Sequence, residues 1–154
     1  MAERLNYANA FPEGLSAMLN MEKVIRTSGL EPRLLELIKI RTSQINGCAY
    51  CLDMHTKDAR AGGETEQRIY TLPAWRETPF FTPRERAALS WAEALTNIQQ
   101  GYAPDAVFEE VRKEFSEAEV VKLTLAVTQI NSWNRIAIAF RAEPGTYQPK
   151  AHAA

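Results

Sequence analysis

From Val120 to Phe140 nearly every side of a helix would be apolar, with Val120, Val121, Leu123, Leu125, Ala126, Val127, Ile130, Trp133, Ile136, Ala137, Ile138 and Phe140 in one run. A helix of that kind has to be covered, inside a bundle or between subunits. Its start is written in Ser116-Glu117-Ala118-Glu119, where the serine caps the first turn and the second glutamate reaches back. The same device recurs in Thr82-Pro83-Arg84-Glu85, with proline at the first helical position, and opens a run through Ala88, Leu89, Trp91, Ala92, Leu95 and Ile98 towards Gly101.

The remaining segments agree. Leu15, Met18, Leu19, Val24 and Ile25 recur at helical spacing between Glu13 and Ser28, and Gly29 follows as a stop. Pro32 opens a second helix whose Leu34, Leu35, Leu37, Ile38, Ile40 and Ile45 surround the axis, so it is expected to be buried on most sides. A short helix is expected from Pro104 to Lys113. A weaker helical stretch after Gly63 leads into a connection with Pro73, Trp75, Pro79, Phe80 and Phe81. Aromatic rings supply much of a core's buried area, so this connection is read first as a plug for the core and second as a wall over a site. No segment alternates as a strand would, and no internal repeat is present. The expectation is an all-α, single-domain helical bundle over residues 1–142. Residues 143–154, rich in Pro, Gly and Ala, are expected to form a mobile tail that carries His152 in solvent.

Composition narrows the function. The 154 residues are enough for one sizeable core. Eighteen Lys and Arg balance nineteen Asp and Glu, and no basic stripe exists, which argues against nucleic acid and anionic membrane as partners. The first residues lack the apolar core of a signal peptide, and no apolar run approaches membrane-spanning length. A cytoplasmic location is therefore expected. In that reducing compartment a lone close-spaced cysteine pair points to catalysis, redox chemistry or metal binding rather than a structural staple.

Both cysteines lie in Asn46-Gly47-Cys48-Ala49-Tyr50-Cys51-Leu52-Asp53-Met54-His55. The Asn-Gly pair is a turn signal, and Gly62-Gly63 closes the helical run that follows. On that helix Cys48, Cys51 and His55 share one face. Cys48 falls in the first turn, where free N–H groups and the helix dipole favour a thiolate, and His55 can exchange a proton with Cys51. Glu36 stands inside the apolar run of the preceding helix, twelve residues before Cys48. It reads either as a carboxylate paired with Lys39, or as a partly buried carboxyl of raised pKa that accepts a proton near the thiols.

This combination of Glu36, Cys48-x-x-Cys51 and His55, followed by Ala and Gly-Gly, resembles the alkylhydroperoxidase D (AhpD)-like branch of the carboxymuconolactone decarboxylase family. The likeness is carried by Pro32 to Gly63. It implies an all-helical subunit that assembles as a homo-oligomer, a trimer or hexamer. The implied activity is a thiol-dependent peroxidase of peroxiredoxin type, with no cofactor and no metal. Its substrate would be a hydroperoxide and its reductant an external dithiol. By the resemblance Cys51 is the peroxidatic thiol, Cys48 resolves it, and Glu36 with His55 forms the proton relay. Tyr50 stands where the AhpD motif has a second histidine. A phenol titrates near pH 10, so Tyr50 is a hydrogen-bond donor rather than a base. In the late helix Asn131, Trp133, Asn134 and Arg135 line the pocket or a subunit interface, with Asn134 the supporting candidate and Trp133 structural.

Three alternatives share these residues. A general disulfide reductase would use the couple without a peroxide. A decarboxylase of γ-carboxymuconolactone type would not need the two cysteines. A non-catalytic zinc protein would place Cys48, Cys51, His55 and either Glu36 or a water around the ion.

Overall fold

A computed structural model describes residues 2–149. Eight α-helices follow in order among these residues: α1 (Tyr7–Ala10), α2 (Pro12–Arg26), α3 (Pro32–Asn46), α4 (Ala49–Ala61), α5 (Glu66–Thr71), α6 (Pro83–Thr96), α7 (Asp105–Glu114) and α8 (Glu117–Phe140). A 3-10 segment, Leu72–Glu77, joins α5 to the α6 approach. No strand occurs among the described residues, so the all-α expectation holds.

The helix ends are set by the residues that announced them. Thr82 and Ser116 each accept the N3 backbone N–H while Glu85 and Glu119 return the bond, which satisfies donors that a helix start leaves open. Pro12, Pro32 and Pro83 each stand in the first turn of α2, α3 and α6. One end differs from expectation. Helix α6 stops at Thr96 rather than reaching Gly101, because Asn97 leaves helical geometry (φ −98°, ψ 44°) while its N–H still bonds Glu93. Asparagine favours such ends because its side chain competes for backbone bonds inside a helix.

Helix α3 is the hub, packed against α4, α6 and α8. Leu37, Ile38 and Ile40 have no exposed surface, and each such side chain contributes about 1.5–3 kcal/mol by leaving water. One core joins α3 to Ala88, Trp91 and Ala92 of α6 and to Leu123, Ala126 and Val127 of α8. A second, on the other flank of α3, gathers Leu37, Ile40, Ala59, Leu72, Trp75, Phe81 and Leu89. The aromatic connection is thus a plug for this core. A third, smaller patch holds Cys48 and Cys51 against Ile130 and Ala137 of α8.

Some apolar faces stay open. On α2 only Ile25 is buried, while Leu19 and Val24 are about half exposed. On α8 Val121, Leu125 and Ile138 are exposed, so the described residues do not cover this helix on every side.

The residues after α8 return to α4. Gly145 N–H donates to Asp53 Oδ2 at 3.0 Å, Lys57 Nζ donates to Tyr147 O at 3.0 Å, and the Tyr147 hydroxyl donates to Asp58 Oδ1 at 2.7 Å. His152, read as a solvated residue of a tail, lies outside the described residues.

Candidate active site

The site begins at the α3–α4 turn. Gly47 has φ 70° and ψ 32°, a left-handed conformation that glycine adopts without strain. The turn places Cys48 as the N-cap of α4, with its N–H on Ser43 O at 3.0 Å. The Cys48 Sγ accepts the Cys51 backbone N–H at 3.4 Å. Both thiols are free and 1% exposed.

The two sulfurs share their chemistry unequally. A hydrogen bond from the Cys51 thiol, joined by the Cys51 backbone N–H and by Asn134, outweighs burial and brings the Cys48 thiol down from its ordinary value of 9 to about 7. The Cys51 thiol, as the donor of that bond and itself buried, is pushed up. The negative charge of the pair therefore rests at the helix N-terminus, where orphan N–H groups and the dipole favour it.

His55, 6% exposed, stands one turn beyond Cys51 on α4. Its Nδ1 lies 2.8 Å from Glu36 Oε2 across the α3–α4 contact. Glu36 Oε1 is also 3.7 Å from Lys39 Nζ, and Lys39 is ion-paired with Glu22. Both readings of Glu36 are thus present in one side chain, except for its pKa. Burial raises the carboxyl, but the hydrogen bond from His55 and the charges of His55 and Lys39 outweigh it, and the net shift is downward. The expected raised pKa is corrected accordingly: a carboxylate hydrogen-bonded to His55 and beside the Lys39 ammonium stays ionised even when half-buried.

Asp58 completes this polar group. It is three residues beyond His55 on α4, and donor atoms of Glu36, His55 and Asp58 all lie within 4.8 Å of one another. Among the described residues these three have metal-ligand spacing, and neither sulfur belongs to the set. No group with that spacing among the described residues contains a sulfur, so the zinc arrangement with both cysteines does not form. A cavity of about 310 Å³ opens beside Glu36 and Asp58, lined also by Lys39, Arg26, Arg33 and Tyr147.

Tyr50 is half-buried against the cysteine patch together with Trp133. With Tyr7 it lines a second cleft of about 250 Å³ on the α8 side. Burial, with Tyr50 and Cys51 beside it, raises the Tyr7 phenol. Asn134 has no exposed surface and donates to Ser43 Oγ at 3.0 Å. Of the expected residues, Cys48, Cys51, Tyr50 and Asn134 gather at one end of α4 and Glu36 with His55 one turn further along. Asp58, Tyr7, Tyr147 and Ser43 escaped the sequence reading. The His55-to-Asp58 spacing of one helical turn was a usable signal for the first; Tyr7 and Tyr147 fall in segments without periodicity and gave none.

Comparisons with known proteins bear on the family and the fold. The model of the carboxymuconolactone decarboxylase family matches residues 12–94. The uncharacterized protein YdfG of Bacillus subtilis is 50% identical over 139 residues, covering 90% of this chain and 95% of its own. Among solved structures, a protein of unknown function from Agrobacterium tumefaciens, a candidate AhpD antioxidant defence protein, is 47% identical with a TM-score of 0.91 and covers 95% of this chain and all of its own. An uncharacterized peroxidase-related protein from Silicibacter sp. TM1040 is 26% identical with a TM-score of 0.78, covering 87% of this chain and 71% of its own.

Proposed function

The chain belongs to the carboxymuconolactone decarboxylase family, and on that premise we propose that it is a thiol-dependent peroxidase of AhpD type. The observation that carries this reading is the buried, free Cys48–Cys51 pair at the N-terminus of α4, one turn from a His55–Glu36 hydrogen bond of 2.8 Å. The names of two structural relatives, antioxidant defence and peroxidase-related, point the same way.

In the proposed cycle a cysteine thiolate attacks the terminal oxygen of a hydroperoxide. The O–O bond breaks, the departing alkoxide takes a proton from the His55–Glu36 relay and leaves as an alcohol, and the cysteine becomes a sulfenic acid. The second thiol attacks that sulfur and displaces hydroxide, which leaves as water once protonated. The product is a Cys48–Cys51 disulfide, and an external dithiol restores both thiols by two exchanges. Each turnover therefore converts one hydroperoxide and two thiols to an alcohol, water and a disulfide.

The family resemblance gives attack to Cys51 and resolution to Cys48. A second reading reverses the order and extends to disulfide substrates. It is favoured by the N-cap position of Cys48 and its pKa of about 7, the arrangement that suits thiol–disulfide exchange. Turnover of cumene hydroperoxide with excess dithiol tests both. Loss of activity in Cys51→Ser with a stable sulfenic acid on Cys51 of Cys48→Ser, read by mass spectrometry, supports the first order. The mirror result supports the second. Peroxide consumption that survives both substitutions, without a disulfide, overturns the peroxidase reading.

A further inference from the structure

The cysteine pair rests on the α8 face made by Ile130, Trp133 and Ala137. Asn134 is the fully buried polar residue on that same face. Which end of its amide faces the sulfurs decides whether they meet a donor or an acceptor, and oxygen and nitrogen of an amide are told apart only by their network.

Here the network has a fixed polarity, set by groups that cannot reverse. Asn131 bonds Val127 O at 2.9 Å, and a backbone carbonyl only accepts, so that end of Asn131 is its Nδ2. Arg135 bonds the other end at 2.9 Å, and a guanidinium only donates, so that end is Oδ1. Asn46 meets the same Oδ1 at 2.9 Å and must present Nδ2 there. That Nδ2 also donates to Asn134 at 2.9 Å, which makes the acceptor Asn134 Oδ1. Asn134 is left with its Nδ2 towards Ser43, whose carbonyl accepts the Cys48 N–H at 3.0 Å, so the donor end of the amide stands at the cysteine turn. One N–H goes to Ser43 Oγ at 3.0 Å.

We propose that Asn134 uses the second N–H as a fixed donor to the Cys48–Cys51 thiolate, and that Asn46, Asn131 and Arg135 are positioning residues that lock its orientation. A buried sulfur anion needs such a donor, since burial alone disfavours its charge. Asn134 at this position favours the charged form of both thiols. The inference rests on the redox reading of the couple, in which the thiolate is the working species.

The test is the pH profile of iodoacetamide alkylation of the reduced protein, with circular dichroism and size exclusion as controls for fold. Alkylation requires no peroxide, so failure of the peroxidase reading leaves this result standing, and the reverse. In Asn134→Ala the midpoint is expected to rise by about one to two pH units, a roughly 5- to 50-fold loss of thiolate at pH 7. Two carboxylate variants separate polarity from charge and serve if Asn134→Ala does not fold. Asn46→Asp can only accept, so it turns the Asn134 amide around and points its oxygen at the sulfurs. Asn131→Asp adds the same charge at the neighbouring link but still accepts from Asn46, so the polarity survives. A clearly larger upward shift in Asn46→Asp than in Asn131→Asp is the expected result. Equal shifts in those two, or a wild-type profile in a folded Asn134→Ala, overturn the proposal.

Discussion

Replacing Glu36 by glutamine tests the relay with little change of shape. The variant keeps an oxygen for the His55 Nδ1–H at 2.8 Å and removes only the charge. Lys39 is not orphaned, because its ion pair with Glu22 remains. Converting one charge-assisted hydrogen bond to a neutral one costs about 1–2 kcal/mol of stability, which for a chain of this size lowers Tm by about 2–8 °C. Activity should fall further, because the relay loses its carboxylate, the group that can take up a proton. General acid–base steps are worth about 10²–10⁴ in rate, and the retained hydrogen bond places this variant near the 10² end. The pH dependence has a definite sign. The folded carboxyl of Glu36 titrates below its ordinary 4.5, so its stabilisation is complete above that value and is lost as pH falls through the lower, folded value. Thermal melts of wild type and Glu36→Gln should therefore differ by a constant gap from neutral pH down to about pH 5, and converge in stronger acid. Peroxide turnover within about threefold of wild type in a folded Glu36→Gln, or a Tm gap that widens on acidification, would refute this account of the relay.

Three further outcomes follow from particular contacts. Alkylation of the wild-type dithiol should show one thiol titrating near pH 7 and reacting well before the other, measured by counting adducts over time by mass spectrometry; first adducts divided equally between the two cysteines at pH 8 would contradict the unequal sharing of charge. Tyr147→Phe removes the hydroxyl bond to Asp58, worth about 0.5–1.5 kcal/mol. Amide exchange at Gly145, whose N–H is held by Asp53, should speed up while the α3 core stays protected, and unchanged exchange would show that the tyrosine does not fasten this segment. Glu64→Gln withdraws a 3% exposed carboxylate from Arg68 at 2.8 Å and Arg33 at 3.4 Å. A loss of about 2–3 kcal/mol, seen as a Tm drop of about 4–12 °C, is expected, and an unchanged melt would mean the arginines are fully solvated without it.

The sequence by itself determined whatever depends on neighbours along the chain. The capping boxes at Thr82 and Ser116, the prolines that open α3 and α6, and the Asn-Gly turn before Cys48 each act within one helical turn, and each appears where the residues placed it. The same locality put Cys48, Cys51 and His55 on one face of α4, and it hid where α6 stops, since the apolar spacing continues past Asn97. Only the tertiary structure decided which faces meet. Glu36 reaches His55 across 19 residues, and Asn46 reaches Asn134 across 88. It also decided that Glu36 is held down rather than up in pKa, because that balance depends on Lys39 and His55 arriving together. Periodicity tells that a face must be buried but not against what. That choice is made by the apolar surface of the whole chain closing around α3, and the polar chemistry of the site is assembled by it.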